Sequence, residues 1–329
     1  MIYSEKALVL APLSGFTDLP YRRAARRCGC VYAFTEMVDA ASLAYASGKG
    51  GALLLRGEEE EFLGTQLVGS SPELLTKAAQ VLNEHDFSLL DFNLGCPVPK
   101  VVKKFAGAAL GQRREEAWRC FDAIAKVSKF TLTAKLRILS ESDPQPTIDL
   151  CRGLVESGAQ VLTLHGRTRE HFYTGTVFYD IISAVRESFP QVEVIANGGV
   201  KNLSAYRQAV AESGCSRVML AQGAMGNPWL FTELAQNEAH PLAAGEWREM
   251  IYQHIAEMVQ LYGEERAMRL SRKIVHDYMK GRGLPSSFRA RAGVLCFLEE
   301  LKHLLDEAVA VMGDKDLSRE AVAKAHQNL

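Results

Sequence analysis

Leu89-Leu90-Asp91-Phe92-Asn93-Leu94, closed by Gly95-Cys96-Pro97, reads as a short buried strand running straight into a tight turn. Gly and Pro end the apolar run, and the turn they form presents a thiol. A cysteine in that setting has little packing to do, so chemistry outweighs core filling as its purpose. The bland alternative is a buried structural cysteine, the usual state of free Cys.

Seven further runs share the apolar or β-branched character and the polar, Gly or Pro boundaries of this strand. They are Leu8–Pro12, Ala33–Val38, Leu63–Val68, Leu132–Ile138, Val161–His165, Glu193–Asn197 and Arg217–Ala221. Amphipathic stretches lie between them, and their spacing predicts helices at Pro72–Asn83, Arg114–Lys126, Thr147–Ser157, Tyr179–Ser188 and Leu203–Glu212. Each is long enough to cross one strand and return in parallel. Eight such units in a row predict an α/β fold, a (β/α)8 TIM barrel, over an open doubly wound sheet. After Asn227-Pro228-Trp229 the pattern becomes strand-poor, with helical periodicity at Met250–Tyr262, Ala267–Lys280 and Phe288–Glu307. Gly281, Gly283 and Pro285 separate the last two. The expected organisation is a barrel over residues 1–240 and a smaller helical domain over 241–329.

The chain has 329 residues, 47% hydrophobic and 23% charged, which excludes a disordered class. Its formal net charge is −1, so any nucleic-acid contact must use a local basic surface. The seven cysteines are odd in number and scattered, which argues against a disulfide framework and for a reducing compartment. Cys28-Gly29-Cys30 lacks a second spaced pair, so no metal is expected. The apolar run Ala7–Leu13 is too short to span a bilayer and follows Glu5, and no other segment reaches spanning length. A cytoplasmic protein without membrane contact is expected, and a monomer.

In a barrel the C-terminal strand ends form one face, where active sites lie. Here six strand ends carry polar or Gly-rich groups: Gln66, Asn93 to Cys96, Lys135 with Arg137, His165 to Arg167, Asn197-Gly198-Gly199, and Gln222-Gly223. An unperturbed thiol is mostly protonated at neutral pH, which suits Cys96 as a general acid. Lys135 and Arg137, two apart on a strand, share one face, and two cations inside a barrel call for an anionic or electron-rich ligand. The bland alternative is an ion pair, for instance with Asp91. His165 and Arg167 can donate to a phosphate or carbonyl. The Gly-bearing ends of the seventh and eighth strands suit a phosphate, although either alone reads as a plain turn. Pro12-Leu13-Ser14-Gly15 reads only as a loop. Between Glu264 and Arg291, eight Lys/Arg face three acids, and Arg269, Arg272, Lys273, His276 and Lys280 recur at helical steps. Such a stripe suits a polyanion, or is a solvated face.

Taken together, these residues resemble the flavin-dependent tRNA dihydrouridine synthases, closest to the bacterial general type. The resemblance runs through Ala11 to Gly15, Gln66-Leu67, Asn93 to Pro97, Lys135-Leu136-Arg137, His165 to Thr168, Asn197 to Gly199 and Gly226 to Trp229. It implies an FMN enzyme that uses NADPH to reduce the C5–C6 double bond of tRNA uridines. Pro12, Leu13, Ser14, Gln66, Lys135, His165, Asn197, Gly198, Gly199, Ala221 and Gln222 would hold the flavin. Hydride would pass to uracil C6 while Cys96 protonates C5. Asn93, Arg137 and Arg167 would face the substrate, and Arg272 and Lys273 would contact tRNA. The family commonly has Gly-Arg where this chain has Ala221-Gln222, which removes a positive charge. A flavin barrel acting on a small molecule, and an RNA-binding protein without turnover, stay open as alternatives.

Overall fold

The computed structural model describes residues 1–45, 51–319 and 321–322. Eight parallel strands close into a barrel in sequence order: β1 (Leu8–Leu10), β2 (Tyr32–Asp39), β3 (Leu63–Val68), β4 (Leu89–Leu94), β5 (Thr131–Arg137), β6 (Val161–His165), β7 (Glu193–Asn197) and β8 (Arg217–Leu220). Closure comes from β1 pairing with β8, with Leu8 opposite Val218 and Leu10 opposite Leu220. The expected TIM barrel is therefore present, and β3, β4, β6 and β7 begin and end where the sequence pattern places them.

Alternation along each strand sorts the side chains into inward and outward sets. Tyr3, Val9, Ala11, Phe34, Leu89, Val161, Ile195 and Met219 belong to one buried apolar plug. Further along the same strands the inward positions turn polar: Asp91 and Asn93 lie two and four residues after Leu89, and Asn197 two after Ile195. The polar layer lies toward the C-terminal mouth.

The chain forms two compact units. The first, drawn from Met1–Asp18, Val31–Val200 and Ser204–Ala221, contains all eight strands. The second, drawn from Leu19–Cys30, Lys201–Leu203 and Gln222 onward, is helical. Its helices are Leu19–Arg27, Leu230–Gln236, Ala244–Tyr262, Glu264–Met279, Ser286–Ala292 and Leu298–Met312. Helix Leu19–Arg27, which follows β1 in sequence, packs with Ala244–Tyr262 inside this second unit.

One sequence expectation fails here. Phe288–Glu307 reads as one helix but is two, broken between Ala292 and Leu298. Gly293 ends the first by donating to the carbonyls of Arg289 and Ala290. The Glu300 carboxylate then accepts from the amides of Cys296 and Phe297, 2.8 and 3.2 Å away, which caps the start of the second. Apolar periodicity continues across the break, so only the capping geometry reveals it.

Candidate active site

Neighbouring strands bring the polar inward residues side by side. In register, Gln66 lies opposite Asp91, Asp91 opposite Thr133, Asn93 opposite Lys135, Arg137 opposite His165, and His165 opposite Asn197. The barrel thus converts residues from five strands into one contiguous layer.

The cysteine turn is held from within its own strand. The Asn93 side-chain oxygen accepts from the amides of Gly95 and Cys96, at 3.1 and 2.9 Å. The Cys96 carbonyl accepts from Ala108 N–H at 3.0 Å. Gly107 makes that closure possible, because at φ +58 a Cβ there would stand 2.6 Å from the Cys96 oxygen. Cys96 itself is half-buried, so its thiol is reachable without being fully solvated. Burial pushes its pKa up, against a hydrogen bond from the Val98 backbone and then the nearby Lys135 and Arg137 charges. It is a protonated thiol at neutral pH.

Among the described residues, Lys135 and Arg137 do not pair with a carboxylate. Lys135 Nζ donates to Asn197 Oδ1 at 2.9 Å, and Asn197 Nδ2 donates to the Met219 carbonyl at 2.8 Å. Arg137 donates from Nε to the Gly95 carbonyl at 2.8 Å and from a terminal nitrogen to the Thr168 carbonyl at 3.0 Å. Its guanidinium also lies 5.4 Å from the Tyr173 ring centroid. The proposed ion pair with Asp91 is absent: the Asp91 oxygens accept from Gln66 and Thr133, each at 2.6 Å. Burial, then mutual repulsion, brings Lys135 down to about 8, and burial brings Arg137 down to about 10. Burial raises Asp91 to about 6.

His165 is buried and neutral, since desolvation, then Lys135, Arg137 and Arg167, hold its pKa well below the usual range. Arg167 contacts its Nε2 at 3.4 Å. A guanidinium only donates, so Nε2 is the acceptor nitrogen and Nδ1 carries the hydrogen. Arg167 is further engaged by the Gly175 carbonyl at 3.1 and 2.8 Å, which turns it toward its own loop. Gly198 and Gly199 both take positive φ, +113 and +77. A Cβ on Gly198 would strike His165 Cδ2 at 2.6 Å, so bare backbone is required beside the imidazole.

Pro12 and Leu13 are half-buried and Ser14 is exposed, on the loop leaving β1. Ala221 is half-buried just past β8, and Gln222 is exposed. Arg272 and Lys273 lie in the second unit on helix Glu264–Met279. Lys273 is exposed, whereas Arg272 is half-buried and bonds the Leu295 carbonyl at 3.0 Å. The basic concentration around them is uneven. Arg282 is buried against Leu317 O and Asn227 Oδ1, and Arg291 is paired with Glu307 at 2.6 Å.

Sequence reasoning undervalued Asp91 and Thr133 and missed Tyr173. The two-residue spacing of Asp91 from Asn93 on β4 marks them as sharing a face. Nothing local ties Tyr173 to Arg137, because a folded loop brings them together.

Comparison with known proteins shows the family to which the chain belongs. The profile of the family described as "Dihydrouridine synthase (Dus)" matches residues 9–312. The tRNA-dihydrouridine synthase B of Pseudomonas aeruginosa is 32% identical over 289 residues, covering 86% of this chain and 87% of that protein. The protein of the same name from Pasteurella multocida is 32% identical, covering 83% and 84% of the two chains. That from Vibrio cholerae is 31% identical, covering 86% and 89%.

Proposed function

Because the chain belongs to the dihydrouridine synthase family, a family of flavin-dependent oxidoreductases, we propose that it reduces the C5–C6 double bond of selected tRNA uridines to 5,6-dihydrouridine, with FMN as cofactor and NADPH as reductant. The observation that carries this reading is a half-buried, protonated thiol on the barrel's C-terminal face, beside two inward cations that have no carboxylate partner among the described residues.

The residues present fit a flavin. Lys135 spends one of its three N–H bonds on Asn197, leaving donor capacity for an electron-rich ring. The Gly198-Gly199 backbone leaves a side-chain-free margin beside His165. In this reading Pro12, Leu13, Ser14, Gln66, Lys135, His165, Asn197, Gly198, Gly199, Ala221 and Gln222 hold the cofactor. When bound and reduced, FMN supplies the hydride that uracil C6 receives.

Cys96 gives its proton to C5, and burial keeps that proton in place until it is needed. The thiolate left behind is stabilised by the charges of Lys135 and Arg137, which favour the ionised sulfur. Asn93 has one amide hydrogen committed to Gln66 and offers the other to the base, together with Arg137 and the Arg167 N–H groups not held by Gly175. A uridine reaches a barrel mouth only after leaving its stack, so the base is everted. Arg272 and Lys273 grip the RNA backbone, which sets affinity without reading sequence.

The test is reduction of unmodified tRNA transcripts by the FMN-loaded protein with NADPH, read by mass mapping of dihydrouridine. The expected result is dihydrouridine at defined positions, with Cys96→Ala keeping flavin but losing nearly all turnover. No dihydrouridine from flavin-loaded wild-type protein overturns the function. Full turnover by Cys96→Ala removes that residue from the chemistry.

A further inference from the structure

The barrel's polar layer contains a buried carboxylate that touches neither the thiol nor either cation. Asp91 lies one inward position before Asn93 on β4 and is 2% exposed. Its oxygens accept from Gln66 Nε2 and from Thr133 Oγ1, each at 2.6 Å. Gln66 in turn accepts, through Oε1, from Asn93 Nδ2 at 2.8 Å. Asn93 then accepts, through Oδ1, from the amides of Gly95 and Cys96.

This chain of bonds has a direction, and chemistry sets where it starts. A side-chain amide carries a donor at one end and an acceptor at the other, so it can sit either way round. A carboxylate only accepts. Facing Asp91, Gln66 must present its NH₂ there and its oxygen to Asn93. Asn93 must then present its NH₂ to Gln66 and its oxygen to the cysteine turn. Were both amides reversed, the Asn93 NH₂ would meet two backbone N–H groups, donor against donor, and the turn would lose its anchor.

We propose that Asp91 is a positioning residue: through Gln66 and Asn93 it fixes the orientation of both amides and so holds the turn that aims the Cys96 thiol. The inference rests on the proposed role of Cys96, but the relay acts on the protein without substrate or cofactor. It accounts for a buried charge that no cation among the described residues neutralises by direct contact. It also explains why a long polar residue, Gln66, sits fully buried between two strands.

The experiment is alkylation of the native protein by iodoacetamide, without tRNA or NADPH, followed by mass spectrometry of each cysteine peptide. Cys296 is exposed and serves as the internal rate standard, while Cys120 and Cys151 are buried and report unfolding. Asp91→Leu removes the acceptor. It is expected to raise the Cys96 rate relative to Cys296 at least tenfold, with Cys120 and Cys151 still protected. Asp91→Asn keeps an oxygen for Gln66 and an NH₂ for Thr133, so it should change the ratio less than threefold. An unchanged ratio in Asp91→Leu overturns the proposal.

If Asp91→Leu exposes Cys120 and Cys151, the decision passes to Gln66→Leu, which cuts the same chain at its middle. A rise of the same size there, with Cys120 and Cys151 still protected, supports the relay. A wild-type ratio in Gln66→Leu refutes it. Should the wild-type protein make no dihydrouridine, the proposed function falls while these ratios still decide the relay.

Discussion

Asp91 and Gly198 show how single residues hold this site at the expense of stability. The Asp91 carboxyl is raised to about 6, chiefly by burial, whereas in an unfolded chain it would titrate as an ordinary aspartate. The folded protein therefore binds more protons than the unfolded one between the two values. Stability is greatest below the unfolded pKa, falls as pH rises toward 6, and stays lower above it. Asp91→Asn, neutral at all pH, should be more stable than wild type at pH 7 by roughly 3 kcal/mol, with the gap closing below about pH 4. Denaturant titrations at both pH values check this, and a variant destabilised at pH 7 contradicts it. Gly198 is constrained in another way, by its positive φ and by His165 Cδ2 at 2.6 Å from any added Cβ. Gly198→Ala should lose about 2 kcal/mol or more and displace the imidazole. A melting temperature equal to wild type would show that the backbone there yields freely.

Among the elements, β4 and helix Glu264–Met279 are the ones the proposed function draws on most. β4 alternates so that Leu89 closes the barrel floor while Asp91 and Asn93 build the mouth, and Gly95 ends it in the cysteine turn. The helix is amphipathic: Ala267, Met268, Ser271, Ile274, Val275 and Tyr278 are buried, and Arg269, Lys273 and His276 are exposed. In the proposed function its exposed cations meet the tRNA. Arg291 lies in the next helix, in a two-pronged pair with Glu307 at 2.6 and 2.8 Å. Replacing Arg269 and Lys273 together by Gln should weaken tRNA binding and reduce the slope of log affinity against log salt by about 1 per cation removed. Arg291→Gln should leave that slope unchanged. Equal slopes for the double variant and wild type, from filter binding across a salt series, would take this helix out of the RNA contact.

At the scale of the whole molecule, each unit has its own means of holding together. The strand-bearing unit uses closure of β1 on β8 around an apolar plug. The helical unit uses buried arginine: Arg282 donates to Leu317 O and Asn227 Oδ1, each at 2.6 Å, and stacks 5.3 Å from the Trp229 ring centroid. It ties three distant stretches of chain, and burial brings its pKa down to about 9. Arg282→Leu leaves two buried acceptors unmet and should cost about 2–4 kcal/mol of stability, measured by denaturant unfolding. A cost below about 0.5 kcal/mol, the range of surface substitutions, would mean that those acceptors find other donors. Among the described residues no helix is long and apolar enough to cross a membrane. The sequence alone determined the eight strands and most of the helices that follow them, because the period of apolar residues is local and burial enforces it. It also marked Cys96, Lys135, Arg137 and His165, because polar side chains at strand ends stand out against apolar runs. The split of Phe288–Glu307 stayed hidden because apolar spacing continues across it, and only the Gly293 and Glu300 caps interrupt the backbone bonds. Tertiary structure alone decided which groups meet. Strand register puts Asp91 between Gln66 and Thr133 instead of against Lys135, and a folded loop brings Tyr173 over Arg137. Those contacts depend on the stagger between neighbouring strands, a property of the closed barrel that no single stretch of sequence carries.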